Sequence, residues 1–198
     1  MAIINKTQGT TLLSLQSVAS NTVVISSVQD VSTKLAATIF IHFGRRTASA
    51  LTTGMEFRIE GSAKSSGDGY WFPLARVRTL TAAAESEAVS GVVSSGTNVI
   101  TVASTNNLAA GDIIFIDNGT IGNSEWGRIK SVVLNTSVTI EDNLVNAQTG
   151  ATIYDQAEMW SIQVDLSAVG RLRIVADGSG TGQAVAVEAL MVTADSIS

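Results

Sequence analysis

His42 is the only histidine in the chain, so any Ser-His-Asp triad would have to use it. It lies between Ile41 and Phe43 in an alternating segment and reads as a strand residue bonded to a neighbour. Cysteine is absent, which removes thiolate nucleophiles, thiolate metal sites and disulfides. There is no Gly-x-Ser-x-Gly elbow, no Walker pattern and no Gly-x-Gly-x-x-Gly between a strand and a helix. Gly178-Ser179-Gly180-Thr181-Gly182 superficially resembles a phosphate loop, but without a lysine or a following helix it reads as a turn. A glycosidase needs two carboxylates about 5–10 Å apart in a cleft. Glu56 and Glu60 share a strand face with Arg58 between them, which is the pattern of a charge-compensated surface. Asp112, Asp117, Glu125, Glu141 and Asp142 gather in the middle of the chain, mostly at turn positions. Calcium takes such oxygen ligands, but no Asp-x-Asp-x-Asp-Gly loop frames a site. The chain is therefore expected to be no enzyme and to need no cofactor or metal.

Residues suited to contact are easier to find. Arg45-Arg46 follow a strand end and fit either an acidic partner or protection of a sheet edge. Tyr70-Trp71-Phe72, followed by the only proline, form the most aromatic spot. Such a cluster beside a loop is either an interface anchor or a plug for one end of the fold. Arg45, Arg46, Tyr70, Trp71 and Phe72 are the candidate partner-binding residues. Trp71, Trp126 and Trp160 would also serve a carbohydrate-binding platform, although Trp160 falls in the core-facing set of its strand.

The composition favours contact over chemistry. The 198 residues carry 12 basic and 17 acidic side chains, a net charge of −5, which argues against coating nucleic acid. Charged residues are 15%, where soluble domains average about 25%. A surface this poor in charge suits burial against a partner or against copies of itself, as a dimer or trimer. No apolar run approaches the roughly 20 residues of a membrane span, so no membrane is expected. The first residues lack the pattern of a secretory signal.

The elements that must position these residues are strands. Met55 to Glu60 alternates without a break, as do Lys34 to Phe43 and Trp160 to Leu166. In the second of these, Leu35, Ala37, Ile39, Ile41 and Phe43 share one face, and Thr38, Phe40 and His42 the other. Ala184 to Val192 is apolar on both faces and predicts a covered central strand. Asp177 to Gly182 predicts a turn that joins Leu172–Ala176 to that strand as a hairpin. Leu80 to Val89 holds good helix formers but is flanked by strand sequence, and the strand reading is preferred. The fold class is all-β, an antiparallel, jelly-roll-like β-sandwich. Residues 90–155 differ from their flanks, with about five short strands in a compact run of turns. They are read as a small inserted β-barrel-like module, and residues 1–89 together with 156–198 as the sandwich body. One continuous β domain with a long excursion is the alternative.

Several stretches resemble virion structural proteins of tailed bacteriophages. The carriers in the middle segment are Gly111-Asp112, Asn123-Ser124-Glu125-Trp126 and Thr149-Gly150-Ala151. The C-terminal run from Arg171 to Ser198 resembles the last hairpin of such proteins, and Ser32 to Leu51 has a similar look. This resemblance implies a non-enzymatic particle component that folds in the host cytoplasm and resides in the virion. A capsid decoration or cement protein bound to the major capsid protein is the leading expectation. In that expectation the start, Met1 to Thr11, drapes onto the shell as an added strand. A neck, tail or head-fibre component is one alternative, and a carbohydrate-binding β-sandwich for host attachment is another.

Overall fold

The computed structural model describes residues 9–67 and 69–195. The strands, in chain order, are β1 (Thr10–Val18), β2 (Val23–Ile25), β3 (Gln29–Asp30), β4 (Lys34–Arg45), β5 (Glu56–Ser62), β6 (Phe72–Arg78), β7 (Ser86–Ala88), β8 (Val92–Val93), β9 (Val99–Thr101), β10 (Ile113–Asp117), β11 (Glu125–Val133), β12 (Ser137–Ile140), β13 (Gln148–Thr149), β14 (Thr152–Tyr154), β15 (Glu158–Asp165), β16 (Arg171–Asp177) and β17 (Val185–Asp195). Among the described residues the only helical element is one 3-10 turn, Ile121–Asn123.

The long strands form a sandwich of two antiparallel sheets. One has the order β1-β17-β4-β15, the other β2-β16-β5-β6, with β3 also on β16. β1 pairs with β17, β2 with β16, β4 with β15 and β5 with β6. These are the rungs of one long nested hairpin. Rolling it up adds the pairs β17·β4 and β16·β5 and produces the two-Greek-key order of a jelly roll. The all-β sandwich is thus as the alternation predicts.

Burial of alternate residues drives the roll. Ile39, Ile41 and Phe43 from one sheet meet Phe57, Ile59, Leu172 and Ile174 from the other, all essentially solvent-free. Trp160 packs against Phe57 with ring centroids 5.8 Å apart. Leu35 departs from its expected face, being 45% exposed.

Asp177 to Gly182 does not close a hairpin. β16 is already flanked by β5 and β2, and β17 by β4 and β1, so neither has an edge for the other. The turn instead carries the chain from one sheet to the other, tied down where Gly178 N donates to Thr22 O at 2.9 Å and Thr52 N to Thr181 O at 2.9 Å. Thr10 and Thr11 pair with Met191 and Leu190 in the chain's own sheet. The remainder of the expected draping segment, residues 1–8, lies outside the described residues.

Between β6 and β15 the chain builds a second core of Val89, Ile100, Ile114, Ile116, Ile129, Val138, Ile140 and Ile153. Its antiparallel sheet runs β7-β14-β10-β11-β12-β9. The bridge between Val89 and Val102, with Ser90 N donating to Thr101 O at 2.8 Å, joins the two ends, so the sheet curls into a small barrel. β7 starts before residue 90 yet belongs to this sheet. The connection over Leu80–Glu85 is irregular, and only Ser86–Ala88 of that ambiguous stretch is strand.

The barrel is seated on the outer face of the β1-β17-β4-β15 sheet. Phe115 is fully buried there, clustered with Ala157 and Ala186. Trp126 packs tilted against Phe115, ring centroids 5.0 Å apart, and donates its indole N–H to Phe43 O at 3.1 Å. Arg46 adds a two-pronged contact to Asp117, at 2.9 and 3.1 Å.

Candidate docking surface

The expected chemistry residues are placed in structural work. His42 Nδ1 is 3.1 Å from Glu188 Oε2, and its ring lies 5.3 Å from Trp126 at the joint. Asp112 caps Ala109 N, Asp117 holds Arg46, and Glu125 accepts from Val145 N, Asn146 N and Gln148 Nε2. Among the described residues no group of three or more His, Cys, Asp or Glu side chains could hold a metal ion.

The five contact candidates part company. Arg45 is 1% exposed, so it offers nothing to a partner. Its guanidinium donates to Ala82 O at 2.7 Å and to Ser49 O. Burial lowers its pKa, opposed by the charges of Asp155 and Glu158. Arg46 is committed to Asp117 inside the joint. Arg46 lies beneath the barrel, which period two cannot show, whereas Arg45 falls on the inner face of β4 with Ile39, Ile41 and Phe43, buried by carbonyls from irregular segments.

Tyr70, Trp71 and Phe72 do come together, at the corner where the β5–β6 loop enters edge strand β6. Tyr70 is 67% and Phe72 61% exposed, and Leu74 follows at 38%. Tyr70 has φ +61°, a left-handed conformation unusual for an aromatic residue. The corner is held by cations. Lys64 Nζ lies 4.1 Å from the Tyr70 ring centroid, and Arg173 and Arg171 lie 4.2 and 5.1 Å from that of Trp71. Arg171 also donates to Lys64 O and Gly67 O, both at 2.7 Å, pinning the loop. Stacking of this kind is worth about 0.5–1 kcal/mol per exposed pair. Lys64, Arg171 and Arg173 were not legible as partners of the aromatics. One signal was present, since Arg171 and Arg173 alternate with buried Leu172 and Ile174 and so share the solvent face.

Beside the corner, the outer face of the β2-β16-β5-β6 sheet carries a ladder of ion pairs. Arg58 reaches Glu56 and Asp177 at 3.0 Å and Glu60 at 3.4 Å, while Arg78 holds Glu56 at 2.9 Å and Arg173 holds Glu60 at 2.7 Å. This is the compensated surface expected from Glu56-x-Arg58-x-Glu60. Arg78 and Arg58 hold the Glu56 carboxyl below its ordinary range. Burial pushes Asp177 up, but hydrogen bonds from Ser179 and Arg58 outweigh it and leave it low. At the joint the direction reverses, because burial raises both Asp155 and Glu158.

The pH dependence follows from these signs. The stability Glu56 and Asp177 add is full above their unfolded values of about 4 and is lost as pH falls through the lower folded ones. The contribution of Asp155 and Glu158 is favourable below their unfolded values and is lost as pH rises through the raised folded ones. The melting temperature is expected to climb as pH is lowered from neutral toward the carboxylate range, then drop below about pH 4. Glu158→Gln should flatten the first limb and Glu56→Gln the second. An unaltered first limb in Glu158→Gln would refute the assignment.

No protein-family model matches the chain, and no curated protein matches it. Solved structures similar to it include proteins of phages, of a prophage and of other viruses, among them infectious bursal disease virus. The SPBc2 prophage-derived protein YomS is 10% identical over 97% of this chain and 96% of its own, with a TM-score of 0.33. The tailspike protein gp49 from Pseudomonas phage LKA1 is 30% identical over 36% of this chain and 14% of its own, at 0.29. The phage phi92 endosialidase is 21% identical over 42% of this chain and 14% of its own, at 0.26. The chain thus spans about a seventh of the latter two. At these TM-scores none of the three assigns a ligand, a partner or an activity to this chain.

Proposed function

We propose that this protein is a non-enzymatic structural component of a phage particle, and specifically a decoration protein that binds the assembled capsid shell. The observation that carries the reading is the corner of Tyr70, Trp71 and Phe72. Two of its rings stand in water on a loop braced by Lys64, Arg171 and Arg173. Bracing removes the ordering cost that exposed aromatics otherwise meet on binding, and Trp, Tyr and Arg are the side chains that dominate interface energetics. The resemblance of the middle segment to phage head and tail modules supplies the setting. Residues 1–89 with 156–198 form the anchoring body in this reading, and residues 90–155 an inserted module whose sheet borrows Ser86–Ala88. A ligand that binds only the assembled shell stabilises it by its binding free energy, multiplied over many copies.

The test is the copy number of this chain relative to the major shell subunit in purified particles, by quantitative mass spectrometry. A ratio near one is expected. A few per cent would move the protein to the neck, tail or a fibre, and complete absence would end the particle reading. Trp71→Ala should lower occupancy at least tenfold while its circular dichroism stays unchanged, since a hot-spot residue is worth about 2 kcal/mol or more. Full occupancy of Trp71→Ala particles would exclude the corner as the docking site.

A further inference from the structure

The sandwich has four edge strands, and three of them are guarded. β6 carries Pro73, a register shift against β5 and the charges of Arg76 and Arg78. β1 is broken by two register shifts, and β2 is three residues long. Proline, irregularity, charge and shortness are the devices that keep an edge from adding another strand. β15 has none of them. Its eight residues pair with β4 in an unbroken register from Glu158 to Asp165, and its only charges stand at the two ends. An open edge of this length and regularity is a template for a further strand.

The direction of its main-chain groups follows from one bond. Leu166 N donates to Leu35 O at 2.8 Å, so Leu166, and by alternation Val164, Ile162 and Trp160, turn their N–H and C=O toward β4. Met159, Ser161 and Gln163 turn theirs outward. Among the described residues no hydrogen bond reaches these outward groups. The side chains agree with an open edge. Met159, Ser161 and Gln163 are exposed on the outer face, while Trp160 and Ile162 are only half-buried at the rim of the core, where an added strand would complete their burial.

We infer that the free edge of β15 takes the same edge of a second copy of this chain, antiparallel, about a two-fold axis through Ser161. The strand is complementary to itself in that register. Ser161 meets Ser161, Met159 meets Gln163, and Trp160 meets Ile162. Hydroxyl pairs and aromatic–β-branched pairs are favourable cross-strand neighbours. The outward groups of Met159, Ser161 and Gln163 then satisfy one another in full. No two charges are opposed. Glu158 falls opposite Val164 and is already bonded to Leu80 N, and Asp165 lies beyond the paired stretch, bonded to Ser167 N. One patch serves both copies, so the contact is isologous and closes as a pair. It joins two four-stranded sheets into one of eight strands. The pairing goes beyond shell docking through Tyr70, Trp71 and Phe72 and does not depend on it.

Disulfide trapping in the full chain tests the inference, against a sequence with no cysteine of its own. Ser161→Cys should link into a covalent dimer under mild oxidation, because opposed residues of a hydrogen-bonded pair have Cα atoms about 5.5 Å apart, within disulfide reach. Gln163→Cys alone should not link, since its two copies would stand about 14 Å apart along the strands. An equal mixture of Met159→Cys and Gln163→Cys should link as the heterodimer. Sedimentation velocity of the wild type should show monomer passing to dimer, and nothing larger, as concentration rises. Ser161→Pro should weaken the dimer at least tenfold while the fold holds, since the lost N–H points away from β4 and an edge tolerates proline there. Ser161→Lys sets like charges face to face and should do the same at low salt, with recovery at high salt. A wild type monomeric at every concentration, a dimer whose Ser161→Cys form does not link, or equal linkage of Ser161→Cys and Gln163→Cys would each overturn the inference. Particle copy number is read separately, so failure here leaves the decoration reading to its own test.

Discussion

Replacing Arg45 by methionine is expected to cost about 3–5 kcal/mol of stability, the range seen when one member of a buried charged arrangement is removed. Methionine roughly conserves the volume, so the loss is polar. The carbonyls of Ala82 and Ser49 would lose their donor, and a buried unsatisfied acceptor costs about 1–3 kcal/mol. Asp155 and Glu158, whose charges act on Arg45, would keep their burial and lose a nearby cation. These groups mark the two places where the chain crosses between sandwich and barrel. Asp155 accepts from Glu85 N at 2.6 Å and Glu158 from Leu80 N at 2.8 Å. Both crossings should therefore lose amide-exchange protection together, and the thermal midpoint should fall on the order of 10 °C. Arg45→Lys keeps the charge but loses the fork that reaches both carbonyls, and should lie between the two. If Arg45→Met melts within a degree or two of the wild type, water has replaced the guanidinium and the crossings are not clamped.

That prediction rests on a residue whose sequence context pointed elsewhere. What was legible was whatever period two and turn chemistry control. Ile39, Ile41 and Phe43 announced a core face, and Glu56-x-Arg58-x-Glu60 announced a compensated one. Residues 90–155 differ from their flanks in the sequence by strand length and turn density. Strand pairing was not legible at Asp177 to Gly182. A glycine-rich turn between two alternating runs looks the same whether it closes a hairpin or crosses between sheets. Which occurs depends on β5 and β2 already occupying both edges of β16, a fact set more than a hundred residues away. Arg45 differs: it continues the inner face of Ile41 and Phe43, but its partners Ser49 and Ala82 lie in irregular segments that period two does not describe. Tyr70, Trp71 and Phe72 stand out locally in the sequence as a loop-borne aromatic cluster, whereas the cations beneath the rings come from Lys64 and from β16.

Gly44→Ala is expected to unseat the barrel. A methyl group built at Gly44 would stand 2.5 Å from Phe115 Cγ and 2.8 Å from its Cβ and Cδ2, distances at which something must move. Phe115 cannot swing aside freely, because Trp126 packs tilted against it with ring centroids 5.0 Å apart and Ala186 closes the site. Overpacking of this kind costs about 1–3 kcal/mol. As the barrel shifts outward, the Trp126 bond to Phe43 O should lengthen, leaving Arg46–Asp117 as the flexible tether between the two parts. Phe115→Ala removes the seat from the other side and should cost about 3–5 kcal/mol, as buried phenylalanines do. The double variant separates the explanations. If Gly44 exists to admit the Phe115 ring, the added methyl meets no ring in the Phe115→Ala background. The combined loss should then fall short of the sum by 1 kcal/mol or more, in the range of contacting residues. Additive losses would mean that the glycine serves its own strand. The absence of a side chain at position 44 would then be a property of β4 rather than the socket on which the barrel is mounted.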